Sequence, residues 1–170
     1  MSEGDRSNER PAPVMPSGRT DLRLLSVAME TAANAIFVTD EDDCSTGNPE
    51  VFNAGRDDLG PLNVRCAINE DLLYSVDRYF AGLVGLRSYV GHVFVAAITG
   101  VPVDGSWSPG DPIERLRELR QVDPSNPNQL LPTCDTAFGL AFPPVRIAEL
   151  VYMFRDYGYL ASICQTDWTA

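Results

Sequence analysis

Three apolar runs along the chain lack the polar alternation of a half-exposed strand. They are rich in aromatic and β-branched residues and lie between polar segments, at 35–39, 92–98 and 159–164. Such runs are typical of strands that are buried on both faces, as in a parallel sheet. The first run, AIFVT, is followed at once by four acidic residues, 40–43. The sequence therefore predicts a strand with carboxylates at its carboxyl end, where open α/β sheets bind ligands. A solvated acidic turn after a core strand is the alternative.

Apolar residues at helical spacing occur between and before these runs. They predict helices over about 20–33, 69–87, 113–120 and 143–154. A strand, a helix and a second parallel strand form a βαβ unit, whose crossover is expected to be right-handed.

The remaining segments are rich in turn residues. We predict long loops over 40–69 and 101–142, and disorder over 1–19, where few apolar side chains could be buried. Residues 20–170 are then one α/β domain, an incomplete Rossmann-like parallel sheet with three main strands, flanking helices and long loops at the carboxyl edge. It resembles half of a doubly wound domain.

The charged residues exclude several functions. The net charge is −11, with 24 acids against 13 bases, which argues against nucleic-acid binding. All the basic residues are arginine, so lysine-based chemistry is absent, and His92 is the only histidine. No apolar run approaches the roughly 18 residues that a membrane span needs.

The cysteines predict disulfide bonds. Their wide spacing does not match the close pairs of zinc ribbons. We favour Cys44–Cys66 and Cys134–Cys164, although four cysteines allow three connectivities and free thiols stay an alternative. Disulfides indicate an oxidising compartment, but the polar segment 1–20 does not read as a signal peptide. One reconciliation is that the chain is the later part of a longer exported protein.

Four segments together resemble the von Willebrand factor A-like domains of exported bacterial proteins, particularly those of myxobacterial type. They are IFVTDEDDCS at 36–45, VFVAAITG at 93–100, FPPVRIAELVYMF at 142–154 and ASICQTDW at 161–168. The resemblance covers about 21–170. It implies a non-enzymatic binding or adhesion module, secreted or in the cell envelope, whose partner is a protein or a cell-envelope ligand.

The resemblance also implies a divalent-metal site, in the family formed by an Asp-x-Ser-x-Ser motif, a threonine and a strand-end aspartate. Asp40 matches that aspartate, but Glu41 stands where glycine is usual, and this chain has no Asp-x-Ser-x-Ser. Asp40 is thus expected to be at most a residual ligand for Mg²⁺ or Ca²⁺. Glu41, Asp42 and Asp43 could add oxygen ligands only if the loop folds back. No cofactor is otherwise expected.

A second hypothesis is a phosphoryl-transfer enzyme of the haloacid-dehalogenase type. Its strand-end Asp-x-Asp pair would be Asp40 and Asp42, with Thr99 at the end of the next strand. The chain lacks the lysine that would stabilise the developing charge. Arg146, in contrast, is expected to pair with an acid at the sheet edge.

Overall fold

The structure, a computed structural model, describes residues 32–104 and 112–166. Its α-helices are α1 (Arg65–Ile68), α2 (Val76–Val84), α3 (Pro112–Leu119) and α4 (Val145–Met153). Its strands are β1 (Ala33–Val38), β2 (Val93–Thr99), β3 (Val122–Asp123), β4 (Asn126–Leu130), β5 (Cys134–Thr136), β6 (Gly139–Ala141) and β7 (Gly158–Ser162). Short 3₁₀ helices occupy Pro49–Phe52, Asp57–Leu59, Leu62–Val64, Glu70–Leu72, Val90–His92 and Arg155–Tyr157.

The centre of the fold is a three-stranded parallel sheet in the order β1-β2-β7. In its register, Ile36 lies beside Ala96, and Ala96 lies beside Tyr159. The prediction of a mixed α/β fold built on a parallel sheet is confirmed. Each strand begins or ends within a few residues of its predicted limit, because the apolar run is the strongest signal that a buried strand leaves in a sequence.

The main core lies between one face of the sheet and the helices α2 and α4. Val93, Val95 and Ala97 of the central strand are buried there against Leu150, Val151 and Phe154. Phe80 of α2 meets Phe154 edge to face, with ring centroids 5.0 Å apart. Helix α3 packs on the outside of α4, where Leu116 is buried with Val145 and Ala148. The helices that flank the sheet are therefore held by apolar contacts on this one face.

Strand β1 is not buried on both faces, contrary to its sequence pattern. Its residues alternate between half-buried and exposed, and Ile36 and Val38 are 65% and 64% exposed. The physical reason is that α2 and α4 pack on the opposite face of the sheet. The helix predicted over 20–33 lies outside the described residues, apart from its last two positions, of which Ala33 already belongs to β1.

The helix predicted over 69–87 is interrupted. A 3₁₀ turn, Glu70–Leu72, comes first, and α2 begins only after Ser75. The Ser75 hydroxyl accepts the backbone N–H of Asp77 at 3.3 Å, which is a typical N-cap bond. The side chain of a serine competes with helix continuation and starts a new helix instead.

The segment 101–142 holds two antiparallel hairpins, β3–β4 and β5–β6, where only loops around a short helix were predicted. The strands are short, and those of the first hairpin are mostly polar: β4 reads NPNQL. The turn between β3 and β4 is fixed by Asp123, whose carboxylate accepts the Ser125 backbone N–H at 2.8 Å. Such strands lack the apolar alternation by which a sequence predicts a hairpin.

The long loop over 40–69 is organised around Arg65 at the start of α1. This side chain is 2% exposed, and its guanidinium donates to the carbonyl oxygens of Gly60, Val51 and Asn53 at 2.7, 3.3 and 2.6 Å. These bonds give the buried guanidinium its hydrogen-bond acceptors. They also give a donor to loop carbonyls that lie outside any α-helix or sheet. The loop is thus an ordered part of the fold.

The cysteines of both favoured pairings lie at disulfide distance from each other. Cys44 and Cys66 close the long loop, with Cα atoms 5.4 Å apart, and Cys134 and Cys164 join β5 to the segment after β7, at 6.2 Å. None of the cysteines, all of which the structure describes, is free. Two disulfide pairs hint at an oxidising, extracellular environment. Among the described helices, none has the length and apolar character to cross a bilayer.

We expect alkylation of the denatured, unreduced protein to modify no cysteine, because all four are paired. Non-reducing peptide mapping by mass spectrometry should recover two cross-linked peptides, Cys44–Cys66 and Cys134–Cys164. Replacing Cys44 and Cys66 together by alanine should lower the free energy of unfolding by about 3 kcal/mol, as for a loop of this order. Four alkylated thiols, or swapped peptides, would contradict the pairing.

Candidate functional site

The carboxyl end of β1 leads into residues 40–43, which we call the acidic turn. Thr39 shapes its start, since the Thr39 hydroxyl oxygen accepts the Glu41 backbone N–H at 3.1 Å. The Asp40 carbonyl accepts the Phe142 N–H at 2.9 Å, while the Asp40 residue is exposed. The Glu41 side chain has a raised pKa, first because of partial burial and second because of the neighbouring Asp40 carboxylate. Asp40 and Glu41, the first two acids of this turn, thus face solvent.

Asp42 caps helix α4 from 104 residues away in sequence. Its carboxylate accepts the backbone N–H groups of Arg146 and Ile147, each at 3.1 Å. Pro144 stands at the N-cap position of α4 and makes no side-chain cap bond. A helix leaves its first N–H groups without intrahelical partners, and a carboxylate there also meets the positive end of the helix dipole. Asp42 thus supplies the cap that the local sequence lacks.

Burial dominates the electrostatics of Asp42. It raises the pKa of this carboxyl to about 6, against an ordinary value of 3.8. The backbone N–H groups of α4 and the Arg120 guanidinium oppose that shift by favouring the charged form. The net effect shows that desolvation outweighs the capping bonds. As a result, the Asp42 carboxyl keeps its proton to a higher pH in the folded state than in the unfolded state.

Asp43 binds the buried Arg146 side chain. The Arg146 Nε and Nη2 donate to one Asp43 oxygen at 3.1 and 2.9 Å, and the other oxygen accepts the Ser45 hydroxyl at 2.5 Å. Arg146 also donates to the Tyr74 carbonyl at 2.5 Å, and its side chain is 4% exposed. The expected pairing of Arg146 with an acid at the sheet edge is therefore found. A buried pair of this kind is costly to break from either side.

These contacts leave little for a divalent cation. Asp42 is occupied by α4, and the Arg146 guanidinium stands beside Asp43, where it would repel a metal ion. In the described part of the chain, no three His, Cys, Asp or Glu side chains are arranged to hold a metal. Mg²⁺ and Ca²⁺ need about six or more oxygen ligands. The acidic turn does not fit such a site, and a metal role for exposed Asp40 stays a prediction.

An apolar groove of about 770 Å³ borders the acidic turn on the helix side of the sheet. Its described walls come from β1, the segment after the acidic turn, α2 and the first turns of α4; typical members are Phe37, Ser45, Gly82, Leu83, Leu86 and Ile147. Polar groups, among them Asp43 and Arg146, lie at one end. A largely apolar pocket with a few polar groups is the usual form of a ligand site.

A second cavity, about 420 Å³, also borders the acidic turn, and we call it the polar cleft. It is lined by Glu41, Asn63, Asn126, Asn128, Gln129, Leu130 and Phe142. A smaller cavity of about 110 Å³ adjoins it and shares Glu41, Asn63, Leu130 and Phe142. Sequence reasoning missed these residues because most of them lie in segments predicted as loops. The run NPNQ at 126–129 was the available signal.

The alternative catalytic residues are not gathered into one site. Thr99 lies at the end of β2 but is fully buried, and its hydroxyl has no hydrogen-bond partner among the residues that the structure describes. His92 precedes β2 and so lies at the opposite, amino edge of the sheet from the acidic turn. Asp40 is exposed, whereas Asp42 is bonded to α4. The structure therefore does not bring these four side chains together as a catalytic group, and the carboxyl group beside Asp40 is that of Glu41.

We expect the stability of the protein to fall as the pH rises from about 4 to about 6, through Asp42. The unfolded carboxyl loses its proton near 3.8, whereas the folded one holds it up to about 6, so the folded state binds more protons in this window. The slope is at most about 1.4 kcal/mol per pH unit and vanishes above the folded pKa.

Asp42→Asn tests this expectation, because the carboxamide keeps an oxygen for the α4 N–H groups and does not titrate. Urea unfolding across pH 4–7 gives the free energy of unfolding of wild type and variant at each pH. The difference between the two values should change with pH up to about 6 and stay constant above it. Asp71→Asn, at an exposed acid, is the matched control and should keep the wild-type slope. Parallel curves for wild type and Asp42→Asn would refute the assignment.

No protein family, curated protein or solved structure matches this chain. The resemblance to von Willebrand factor A-like domains therefore depends on the four sequence segments alone. What the chain does must be argued from the geometry around the acidic turn.

Proposed function

We propose that this chain is a non-enzymatic binding module that acts in the cell envelope or outside the cell. One observation carries the proposal. The charged groups at the carboxyl edge are used to hold the fold together, while two cavities of different chemistry open beside them. A surface with cavities and without an exposed catalytic group is suited to recognition rather than to turnover.

The position of the cavities supports the proposal. Ligands of open α/β sheets bind outside the carboxyl ends of the strands, and both cavities border the turn that follows β1. A parallel sheet with helices α2 and α4 in the crossovers is also compatible with the von Willebrand factor A-like resemblance. That finer assignment belongs to this proposal, together with a protein or cell-envelope partner.

The dehalogenase-type alternative has weaker support. It needs Asp40 as nucleophile, Asp42 as the second acid of the pair and an accessible Thr99 hydroxyl. Here Asp42 accepts two backbone N–H groups of α4, and the Thr99 side chain is enclosed. The absence of lysine from the chain removes the usual cation for the transferred phosphoryl group. We therefore prefer binding over catalysis.

We expect the apolar groove to bind anilinonaphthalene sulfonate, a fluorescent apolar anion, while the protein is folded. Gly82 offers a selective block, because it lines the groove and a Cβ atom added there meets nothing within 4 Å. Gly82→Trp should fill the groove and weaken binding by about tenfold or more. Gly82→Ala is the matched control, and should retain binding while stabilising α2 by about 1 kcal/mol.

Fluorescence titration measures the binding, and thermal unfolding verifies that each variant is folded. Equal binding to the two Gly82 variants, or no binding to the folded wild type, would argue against the groove as a ligand site.

A cation titration tests Asp40 as a residual metal ligand. The acidic turn exposes only the carboxylates of Asp40 and Glu41, too few for a strong divalent-metal site, so we expect millimolar Ca²⁺, Mg²⁺ or Mn²⁺ to change the melting temperature of wild type and Asp40→Ala equally. A rise seen only in the wild type would assign a metal to Asp40. Hydrolysis of p-nitrophenyl phosphate that depends on Mg²⁺ and is lost in Asp40→Asn would contradict the binding proposal itself.

A further inference from the structure

We propose that the polar cleft binds a neutral, polyhydroxylated ligand, an oligosaccharide. The inference rests on the proposed binding function and assigns a ligand class to one of its two cavities. It is carried by the carboxamides that line the cleft, by the buried arginine of the adjoining cavity and by the balance of charge between them.

The cleft walls suit hydroxyl groups. Four of the seven residues that line it carry a side-chain carboxamide: Asn63, Asn126, Asn128 and Gln129. Each carboxamide has N–H donors and an oxygen acceptor on one rigid plane. A sugar hydroxyl is also donor and acceptor at once, so neighbouring hydroxyls can pair with one carboxamide. Apolar side chains bind such a ligand less selectively because they leave its hydroxyls without partners.

The carboxamides are partly fixed in place by the fold. The Asn128 oxygen accepts the Asn63 backbone N–H at 3.3 Å, which holds β4 against the 3₁₀ turn Leu62–Val64. The Asn126 nitrogen donates to the Gln129 oxygen at 3.1 Å. Within the described residues, the Asn63 side chain and the Asn128 nitrogen make no protein hydrogen bond. Groups that are already positioned, and whose bonding capacity is unused, lower the entropy cost of ligand binding.

The smaller cavity places a strong donor next to the cleft. It is lined by Arg120, whose side chain is 12% exposed and whose Nη2 donates to Glu70 at 2.7 Å. Among the described residues, the Arg120 Nη1 atom has no hydrogen-bond partner, and it has almost no solvent-accessible surface. A ligand acceptor can reach it only after a local rearrangement of the cavity wall, and that bond would remove the cost of a buried donor without a partner.

The charges select a neutral ligand over an ionic one. Among the described residues, Glu41 is the only ionisable one that lines the polar cleft, and together with the net charge of −11 it repels anions. The adjoining cavity is lined by Asp42, Asp43 and Arg120 as well, but these charges are already engaged by the α4 N–H groups and by ion pairs, so they attract an ion weakly. Phe142 and Leu130 add apolar surface on which the C–H face of a sugar ring can pack. A saccharide combines these features in one molecule.

The experiment is a titration of ¹⁵N-labelled full chain with maltotriose, cellotriose and N-acetylated chitotriose, followed by amide chemical shifts. At least one sugar should shift the amides of Asn63 and Asn128 in a saturable, millimolar manner. The double variant Asn63→Ala, Asn128→Asp removes the unused Asn63 carboxamide and the unused Asn128 amide nitrogen, but keeps a side-chain oxygen at position 128 to accept the Asn63 N–H. Its affinity should fall by about tenfold or more. Asn34→Ala, at an exposed asparagine on β1 outside the cleft, should bind as the wild type does.

Each outcome decides the proposal. Saturable shifts in the cleft that the double variant weakens support it. No shift with any of the three sugars, or equal binding to the double variant, would overturn it. If the sugars fail while anilinonaphthalene sulfonate still distinguishes the two Gly82 variants, only the ligand class is wrong. If both probes fail, the proposed binding function fails as well.

Discussion

The hydrogen bonds between Asp42 and the first N–H groups of α4 are the constraint on which this architecture depends. Helix α4 supplies Leu150, Val151 and Phe154 to the main core, and it carries Arg146. Without a cap, that helix would begin with several N–H groups unsatisfied next to a proline. The bonds also tie the acidic turn to the first turn of α4. The core, the apolar groove and the polar cleft therefore share one anchoring point.

The same contacts explain why an acidic cluster at a strand end need not be a site of chemistry. A carboxylate that accepts backbone N–H groups, or that neutralises a buried guanidinium, has already used the charge that a metal or a phosphoryl group would need. Asp42 and Asp43 are of this kind, whereas Asp40 and Glu41 face solvent. At this edge of the sheet, we therefore expect binding to use the surfaces that the paired charges hold in place, and not the charges themselves.

Local signals in the sequence predict the parallel sheet, the short helix α3 and helix α4. These elements depend on runs and spacing of apolar residues, which can be read from neighbouring positions. The number and spacing of the cysteines favour disulfides but allow three connectivities, and only the fold shows which cysteines lie at disulfide distance. The hairpin β3–β4 could not be predicted, because residues such as Asn126 and Asn128 gain their strand structure from cross-strand pairing. The cap from Asp42 to α4 was also missed, since its partners are 104 residues apart and no periodicity connects them. The exposure of Ile36 depends on which face of the sheet α2 and α4 cover, and the sequence of the strand does not determine that face.

The disulfides bear on binding as well as on stability, because they reach the walls of the polar cleft. Cys66 follows closely on Asn63, and its bond to Cys44 ties that wall to the segment after the acidic turn. Cys134 lies in the hairpin that leads to Phe142, and its bond to Cys164 ties the hairpin to the end of β7. Walls that are already cross-linked lose little conformational entropy when a ligand binds. A cleft of weak, neutral hydrogen bonds needs that advantage more than a charged site does, so the oxidised state should be the binding-competent one.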